Sequence, residues 1–449
     1  MSDLLNIGAS GVRSYQTALG TTSENIANAN TPGYSRRTAR IEEVGRTNSI
    51  AIGQTIKLSG SGSHVTGVVR ASDNFRQAEV RSTGSDFART ATGVAWIDRI
   101  EGALVGNQLS DRLTQFFTSA KTVAADPAAT APRTVWLEDA ASLAAGFAST
   151  GRALGAAAVE VDQQGKDAAQ RLTDLSASLV RVNQGLSRAA NGSAPQAQLL
   201  DERDRVIEEM SQLVDVAVAI DSYGRATVRA GGNTGPVIAD VEGSAIVGFT
   251  SNASGAVSIY AYRNSTTSSI APQGGMLAGL VDGAGRIAAA RDRLDAIATD
   301  FVSQINDFQA QGRTLTGVAG APMFAVGTSP TDISVALTDA RGIAAAAVGE
   351  GTRGNGNMTA LAELRVDAGW ESSFDDMTTE NAALLATRRA VQTAQGSIHS
   401  AALAARDSVT GVDLDEEAVN LIRFQQAYQA SSRVIQVARD ILQTIIDIR

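Results

Sequence analysis

Residues 413–447 read DLDEEAVNLIRFQQAYQASSRVIQVARDILQTIID, and the fold follows from the spacing of their apolar positions. Leu414, Leu421, Phe424, Tyr428, Ser431, Ile435, Ala438, Leu442 and Ile445 recur at intervals of three, four and seven, the signature of one helix lying along another. Val434, Ile441 and Ile448 each stand one residue before a seam position and widen the stripe beyond that of a simple two-stranded coil. A stripe so wide needs more than one neighbour. Asp413 is placed to cap the helix, and Glu416, three residues on, to complete a capping box. Asp415 and Glu417 add negative charge at the positive end of the helix dipole.

The other terminus carries a matching pattern. Leu5, Gly8, Val12, Tyr15, Leu19, Thr22, Ile26 and Ala29 share one face of a helix expected from Asp3 to Asn28, about 39 Å long at 1.5 Å per residue. Its small seam residues bury little area per turn, so this helix depends on neighbours for its order. Asn28, Asn30, Thr31, Pro32, Gly33 and Tyr34 form a corner: Pro32 disfavours helix at Thr31, and Gly33 supplies the positive φ of a type II turn. Leu5, Val12, Leu19 and Ile26 are expected to meet Leu421, Tyr428, Ile435 and Leu442 of the same chain, with the wider stripe left for neighbours. Pairing inside one monomer alone is the simpler alternative.

Between the termini, Ser35 to Arg70 is β-branched and Gly-punctuated (Ile50 to Ile56, Val65 to Val69) and reads as extended structure. Helical spacing runs from Asp73 to Val123, then resumes after a loop at Asp126-Pro127 and Pro132 and ends with Leu172, Leu175, Leu179, Val182 and Leu186. Asn191 to Pro195 breaks that helix, and Leu199, Arg203, Val206, Met210 and Leu213 continue helically. The period then drops to two at Val214, Val216, Val218 and Ile220. Further strands are expected at Ala226 to Ala230, Val237 to Val241, Ala245 to Phe249 and Ala256 to Tyr262. Helices return with Ile287, Leu294, Ile297, Phe301, Ile305 and Phe308, and with Leu384, Val391, Ile398 and Ala405 at intervals of seven. The expected fold is therefore mainly α with an inserted β domain, nested and discontinuous. Residues 1–34 with 414–449 form a terminal coiled coil, 35–212 with 273–413 a helical bundle with extended segments, and 213–272 a small outer β domain.

Composition narrows the chemistry. The chain has 449 residues, 43% of them hydrophobic, no Cys, two His and a formal net charge of -9. Only Lys57, Lys121 and Lys166 are lysines among 38 basic residues, and the acidic balance argues against nucleic-acid binding. No apolar run is long enough to insert in a membrane, and the N-terminus lacks a cleavable signal. Gly349, Gly351 and Gly354 form a GxGxxG, but the Ala-rich Ile343 to Val348 before it is poor strand material. It reads as a loop ahead of a helix at Met358 to Arg365. His64 and His399 are isolated, neither GxxxxGK[ST] nor GxSxG occurs, and Glu42-Glu43 and Asp375-Asp376 read as solvated surface. No catalytic residue, metal site or cofactor is expected.

A resemblance then sharpens the reading. Asn25-Ile26-Ala27-Asn28-Ala29-Asn30-Thr31-Pro32-Gly33-Tyr34-Ser35 resembles the signature closing the first helix in axial proteins of the bacterial flagellum. Val419-Asn420-Leu421-Ile422-Arg423-Phe424-Gln425-Gln426-Ala427-Tyr428-Gln429-Ala430-Ser431 is similar to their shared C-terminus. Leu199-Leu200-Asp201-Glu202-Arg203-Asp204 leading to Leu213-Val214-Asp215-Val216, and Gly354-Asn355-Gly356-Asn357 before Leu361-Ala362-Glu363-Leu364, resemble the first hook-associated protein family of the hook–filament junction.

That resemblance implies a structural adaptor, not an enzyme, exported by the flagellar type III pathway. Its terminal helices form an inner tube with copies of itself. The implied partners are the hook protein, the next junction protein towards the filament, and an export chaperone on the C-terminal helix. Another axial protein of hook or rod remains an alternative, as does, from a different class, an enzyme or adhesin displayed on the flagellum.

Overall fold

A computed structural model describes residues 2–44, 62–252 and 254–447. The expected strand at Ile50 to Ile56 lies outside the described residues. The first helix, α1 (Ser2–Ala27), runs antiparallel to the last, α9 (Leu414–Asp447), and Gly8 beside Ile435, Gly11 beside Ser431 and Tyr15 beside Phe424 set the register. A Cβ at Gly8 would lie 2.7 Å from the Ile435 side chain, so the seam's small residues are what let the two axes approach. After the corner, β1 (Arg37–Glu43) and β2 (Ser63–Arg70) pair antiparallel and lean on α1.

The body is a stack of long helices. The helix expected from Asp73 to Val123 is two, α2 (Asn74–Val105) and α3 (Leu109–Ala125), broken where Gln108 takes the left-handed conformation at φ 53°. Asp73 caps α2 by accepting from the N–H groups of Phe75 and Arg76. Pro132, expected in a loop, sits in the first turn of α4 (Thr130–Leu186), where its missing N–H has no helical partner to lose. At 57 residues α4 is about 85 Å long. Arg133 is fully buried without a carboxylate; its guanidinium donates to the carbonyls of Pro127, Ala340 and Ile343, stitching the α3–α4 turn to a distant loop. Then come α5 (Ala194–Leu213), and α6 (Gly275–Gln311), which begins earlier than its apolar series predicted, because Gly275, Gly279, Gly283 and Gly285 punctuate its first turns.

Two antiparallel three-stranded sheets occupy the inserted segment. The first orders β3 (Val216–Ile220), β4 (Ala226–Ala230) and β5 (Val237–Ala239). The second orders β6 (Ile246–Ser251), β7 (Val257–Arg263) and β8 (Thr266–Ser269). β8 escaped the sequence reading because its Thr-Thr-Ser-Ser has no apolar alternation; the tight Asn264-Ser265 turn, both at positive φ, makes it. Phe249 of β6 lies directly on Gly165 of α4, where a Cβ would sit 2.3 Å from the ring. Val228, Ile238, Val247, Phe249 and Ile259 thereby join the same continuous apolar cluster as the helices.

The chain closes through the short hairpin of β9 (Phe324–Val326) and β10 (Ile333–Val335), then α7 (Gly356–Ala368) and α8 (Trp370–Thr410). The seven-residue series on α8 needs correction. Val391 and Ile398 point outward, and α8 packs against α2 through Asn381, Leu385, His399 and Ala402 on the adjacent face. Leu384 of the series does pack, with Leu385, against Val94 and Ile97, but polar and small residues make the rest of that face, which apolar spacing cannot find.

Candidate assembly face and corner

The corner forms as its residues dictate. The Tyr34 N–H donates to the Thr31 carbonyl at 3.1 Å and Gly33 holds φ +79°, the type II turn. Asn28 donates its amide to the Glu24 carbonyl and accepts from the Thr31 hydroxyl, closing the end of α1. Asn30, Thr31, Pro32 and Gly33 are exposed, while Tyr34 is half-buried with the Arg37 guanidinium 4.7 Å from its ring centre. Burial pushes the Tyr34 hydroxyl up to about 12 against the opposing pull of Arg37. The turn is a ridge between two clefts, one of about 800 Å³ floored by Arg81, Glu208 and Arg406, the other of about 510 Å³ floored by Arg37, Gln198 and Asp201.

Beneath the turn lies a polar joint that sequence reasoning did not assemble. Arg37 and Arg70 face each other across the β1–β2 ladder, a repulsive pairing unless acids stand between them. Asp201 and Asp204 of α5 do so. Asp201 takes Arg37 at 2.9 Å and Arg70 at 3.4 Å, and Asp204 takes Arg70, Arg203 and the Gln77 amide. Burial raises the Asp201 carboxyl, Arg37 and Arg70 notwithstanding; burial acts the same way on Asp204, but Arg203 and Arg70 outweigh it and hold that carboxyl below the usual range. On the α9 side, Arg36 donates to Glu417 at 2.7 Å and Glu416 at 2.8 Å. Asp413 caps α9 through the N–H groups of Asp415 and Glu416. The expected capping box is therefore half made: the Glu416 carboxylate pairs with Arg36 instead. The signal that could have found the joint was the Asp201-Glu202-Arg203-Asp204 run, whose acids fall three residues apart on one helical face.

The terminal pair divides the expected seam residues. Leu5, Val12, Tyr15 and Leu19 are half-buried against half-buried Leu421, Phe424, Tyr428 and Ile435. Ile26 and Leu414 lie at the same level of the pair, both exposed. Leu442 does not receive the partner its spacing assigned. In the observed register it lies past Ser2, where α1 has ended, and it is 36% exposed, with Ile445 beside it at 54%. The outward face of α9 is left uncovered, Val419 at 65% and Ile422 at 56% exposed. A single chain half-covers the seam and leaves the widened flank of the stripe, Val434 and Ile441 among it, in water.

Elsewhere the candidate chemistry resolves into structure. In the GxGxxG loop, the Glu350 carboxylate accepts the N–H groups of Ala347 and Gly356, which hold it below the usual range. A carboxylate thus lies inside the loop against Gly354 and Gly356, where a phosphate would meet like charge. Asn357 then clamps the loop, donating to the carbonyls of Phe308 and Ala344. His399 bonds the Thr83 hydroxyl at 3.1 Å and stacks on Phe87, and His64 is exposed on β2. Among the described residues no group of three or more His, Cys, Asp or Glu could hold a metal, and no helix is long and apolar enough to cross a membrane.

Comparison with known proteins matches residues 96–324 to the flagellar hook-associated protein FlgK helical domain, about half of the chain. Residues 5–34 match the flagella basal body rod protein family, and residues 407–448 the C-terminal family of flagellar basal body rod FlgEFG proteins. The chain is similar to Flagellar hook-associated protein 1 of Escherichia coli (strain K12), 23% identical over all of both chains. It is also similar to that of Bacillus subtilis (strain 168), 23% identical over 96% of this chain and 95% of the relative. A solved structure, the flagellar hook junction protein FlgK from Burkholderia pseudomallei, aligns at 23% identity and a TM-score of 0.48, covering 56% of this chain and 47% of that one.

Proposed function

This chain belongs to the flagellar hook-associated protein FlgK family, a structural and non-enzymatic component of the flagellum, and from that premise we propose that it is the adaptor joining hook to filament. The observation that carries the reading is the uncovered apolar face of α9. Burying that face against copies of itself, at ~25 cal/mol per Å² repeated in every subunit, turns weak pair contacts into a stable ring. The terminal pairs form the inner layer, the helical body surrounds them and the β segment 213–272 faces outward. The seam residues named above make the assembly interface, and the corner sets the step between layers. The hook protein lies on one side and the next junction protein on the other. Before assembly an export chaperone covers α9, and the chain leaves the cell by the flagellar type III pathway.

A second reading, a rod or hook component, is favoured only by the two terminal matches, which axial proteins share. Electron microscopy of cells lacking the gene, with flagellin assayed in the medium, separates the two. Bare hooks with shed flagellin are the expected result; a missing hook moves the assignment inward, and normal filaments defeat both readings.

A further inference from the structure

Among the described residues neither α1 nor α9 gives a side chain to the apolar clusters of the body, so the angle between terminal pair and body is not set by core packing. One buried side chain stands where that angle is decided. Asn25, in the last turns of α1, is 0% exposed. Its Nδ2 donates to the Arg37 carbonyl at 2.8 Å, and its Oδ1 accepts the Arg37 N–H at 3.0 Å. Arg37 opens β1, so the Asn25 amide satisfies both its backbone groups as a neighbouring strand would. The same Oδ1 accepts the Tyr34 hydroxyl at 2.8 Å. The whole corner is thus closed by one side chain, from the helix before it to the strand after it.

We propose that Asn25 is the positioning residue of the corner, fixing the angle between the terminal pair and the body through a side chain that must both donate and accept. Ala at this position leaves the N–H and C=O of Arg37 unpaired in a dry site. An ionised carboxylate accepts but cannot donate and faces the Arg37 carbonyl with like polarity; once protonated it carries both a donor and an acceptor and restores the pattern. Arg37 of β1, the Tyr34 hydroxyl of the corner, Glu24 of α1, Asp201 of α5 and Glu417 of α9 surround this point, and each acid is already paired, Glu24 and Asp201 with Arg37, Asp201 also with Arg70, and Glu417 with Arg36. A further carboxyl there is driven towards its neutral form by burial, since the bases beside it are engaged by those acids.

The angle is a property of the free chain, so its test stands apart from the assignment to the hook–filament junction, though the role given to the corner rests on that reading. The chain has no Cys, so Gln16→Cys on α1 and Gln170→Cys on α4, both exposed, carry spin labels at two chosen sites in the full chain. Pulsed dipolar spectroscopy of the otherwise native chain is expected to give one narrow distance distribution at pH 8 and pH 5. Asn25→Ala broadens it about twofold at both. Asn25→Asp is broad at pH 8 and narrow at pH 5, a reversal that loss of packing cannot produce. Native width for either variant at pH 8, or equal broadening of Asn25→Asp at both, overturns the proposal. Should Asn25→Ala fail to fold, Tyr34→Phe removes one of the three bonds; partial broadening supports the proposal and native width overturns it.

Discussion

The body and the terminal pair are both helical and meet at one corner, yet they are held by opposite means. In the body, Phe116, Phe117, Trp136, Phe147, Phe301, Phe324 and Trp370 form one aromatic nest, with Phe301 edge-on to Trp370 at 5.1 Å and the Trp370 indole N–H donating to Asp300. Such a core buries its large apolar side chains within one chain. In the pair, the buried positions of α1 are Gly8, Gly11, Ser14, Ala18, Thr21, Thr22 and Asn25, and those of α9 are Glu417 and Ala438, while large apolar residues are at most half-buried. The pair is built to leave its best apolar surface for others, and it is fastened to the body by charge and hydrogen bonds. The same secondary structure therefore serves self-sufficiency in one place and incompleteness in the other.

Substitutions sharpen or break that contrast. The largest effect is expected from Phe301→Ala, which should cost ~3 to 5 kcal/mol in urea unfolding of the free chain, because it empties the aromatic nest. A loss below 1 kcal/mol would show that the body is not the stable half. Asp204→Asn should cost about 1.5 to 3 kcal/mol at neutral pH, since it weakens charge-assisted bonds to Arg70 and Arg203. The Asp204 carboxyl is depressed in the folded chain, so its contribution is fully present above its unfolded value of about 4 and is lost as pH falls through the folded value. The variant's deficit should accordingly vanish in acid; a deficit independent of pH would contradict the ionic joint. Gly8→Val should strain the pair by ~1 to 3 kcal/mol against Ile435 while leaving the main unfolding transition in place. Incorporation into cell-bound flagella, followed by immunolabelling, should fall far more than monomer stability; equal losses would mean that pair and body fold as one unit. Smallest, Asp413→Ala removes the cap of α9 at a cost of ~1 kcal/mol, seen as faster amide exchange in the first turn of α9 alone.

Much of this was legible in sequence because periodicity reports apolar faces. The helices at both termini, the type II corner and the five strands expected in the inserted segment follow from spacing and turn chemistry alone. What the sequence concealed was polar. The α8 seam was misplaced because its packed face carries Asn381 and His399, and β8 was passed over because it is all hydroxyls. Asn25, Arg37, Arg70, Asp201 and Asp204 were not joined because five polar residues scattered over 180 positions make a site only once the chain has folded. The break at Gln108 was hidden for another reason: a left-handed residue other than Gly leaves no compositional mark.

The unequal reach of α1 and α9 has a consequence of its own. With Leu442 and Ile445 lying past the described end of α1, each pair has a projecting apolar tongue at one end and, at the other, the corner ridge with a cleft on either side. A tongue and a cleft are two different surfaces, so copies that met through them would meet head to tail and leave two unlike ends.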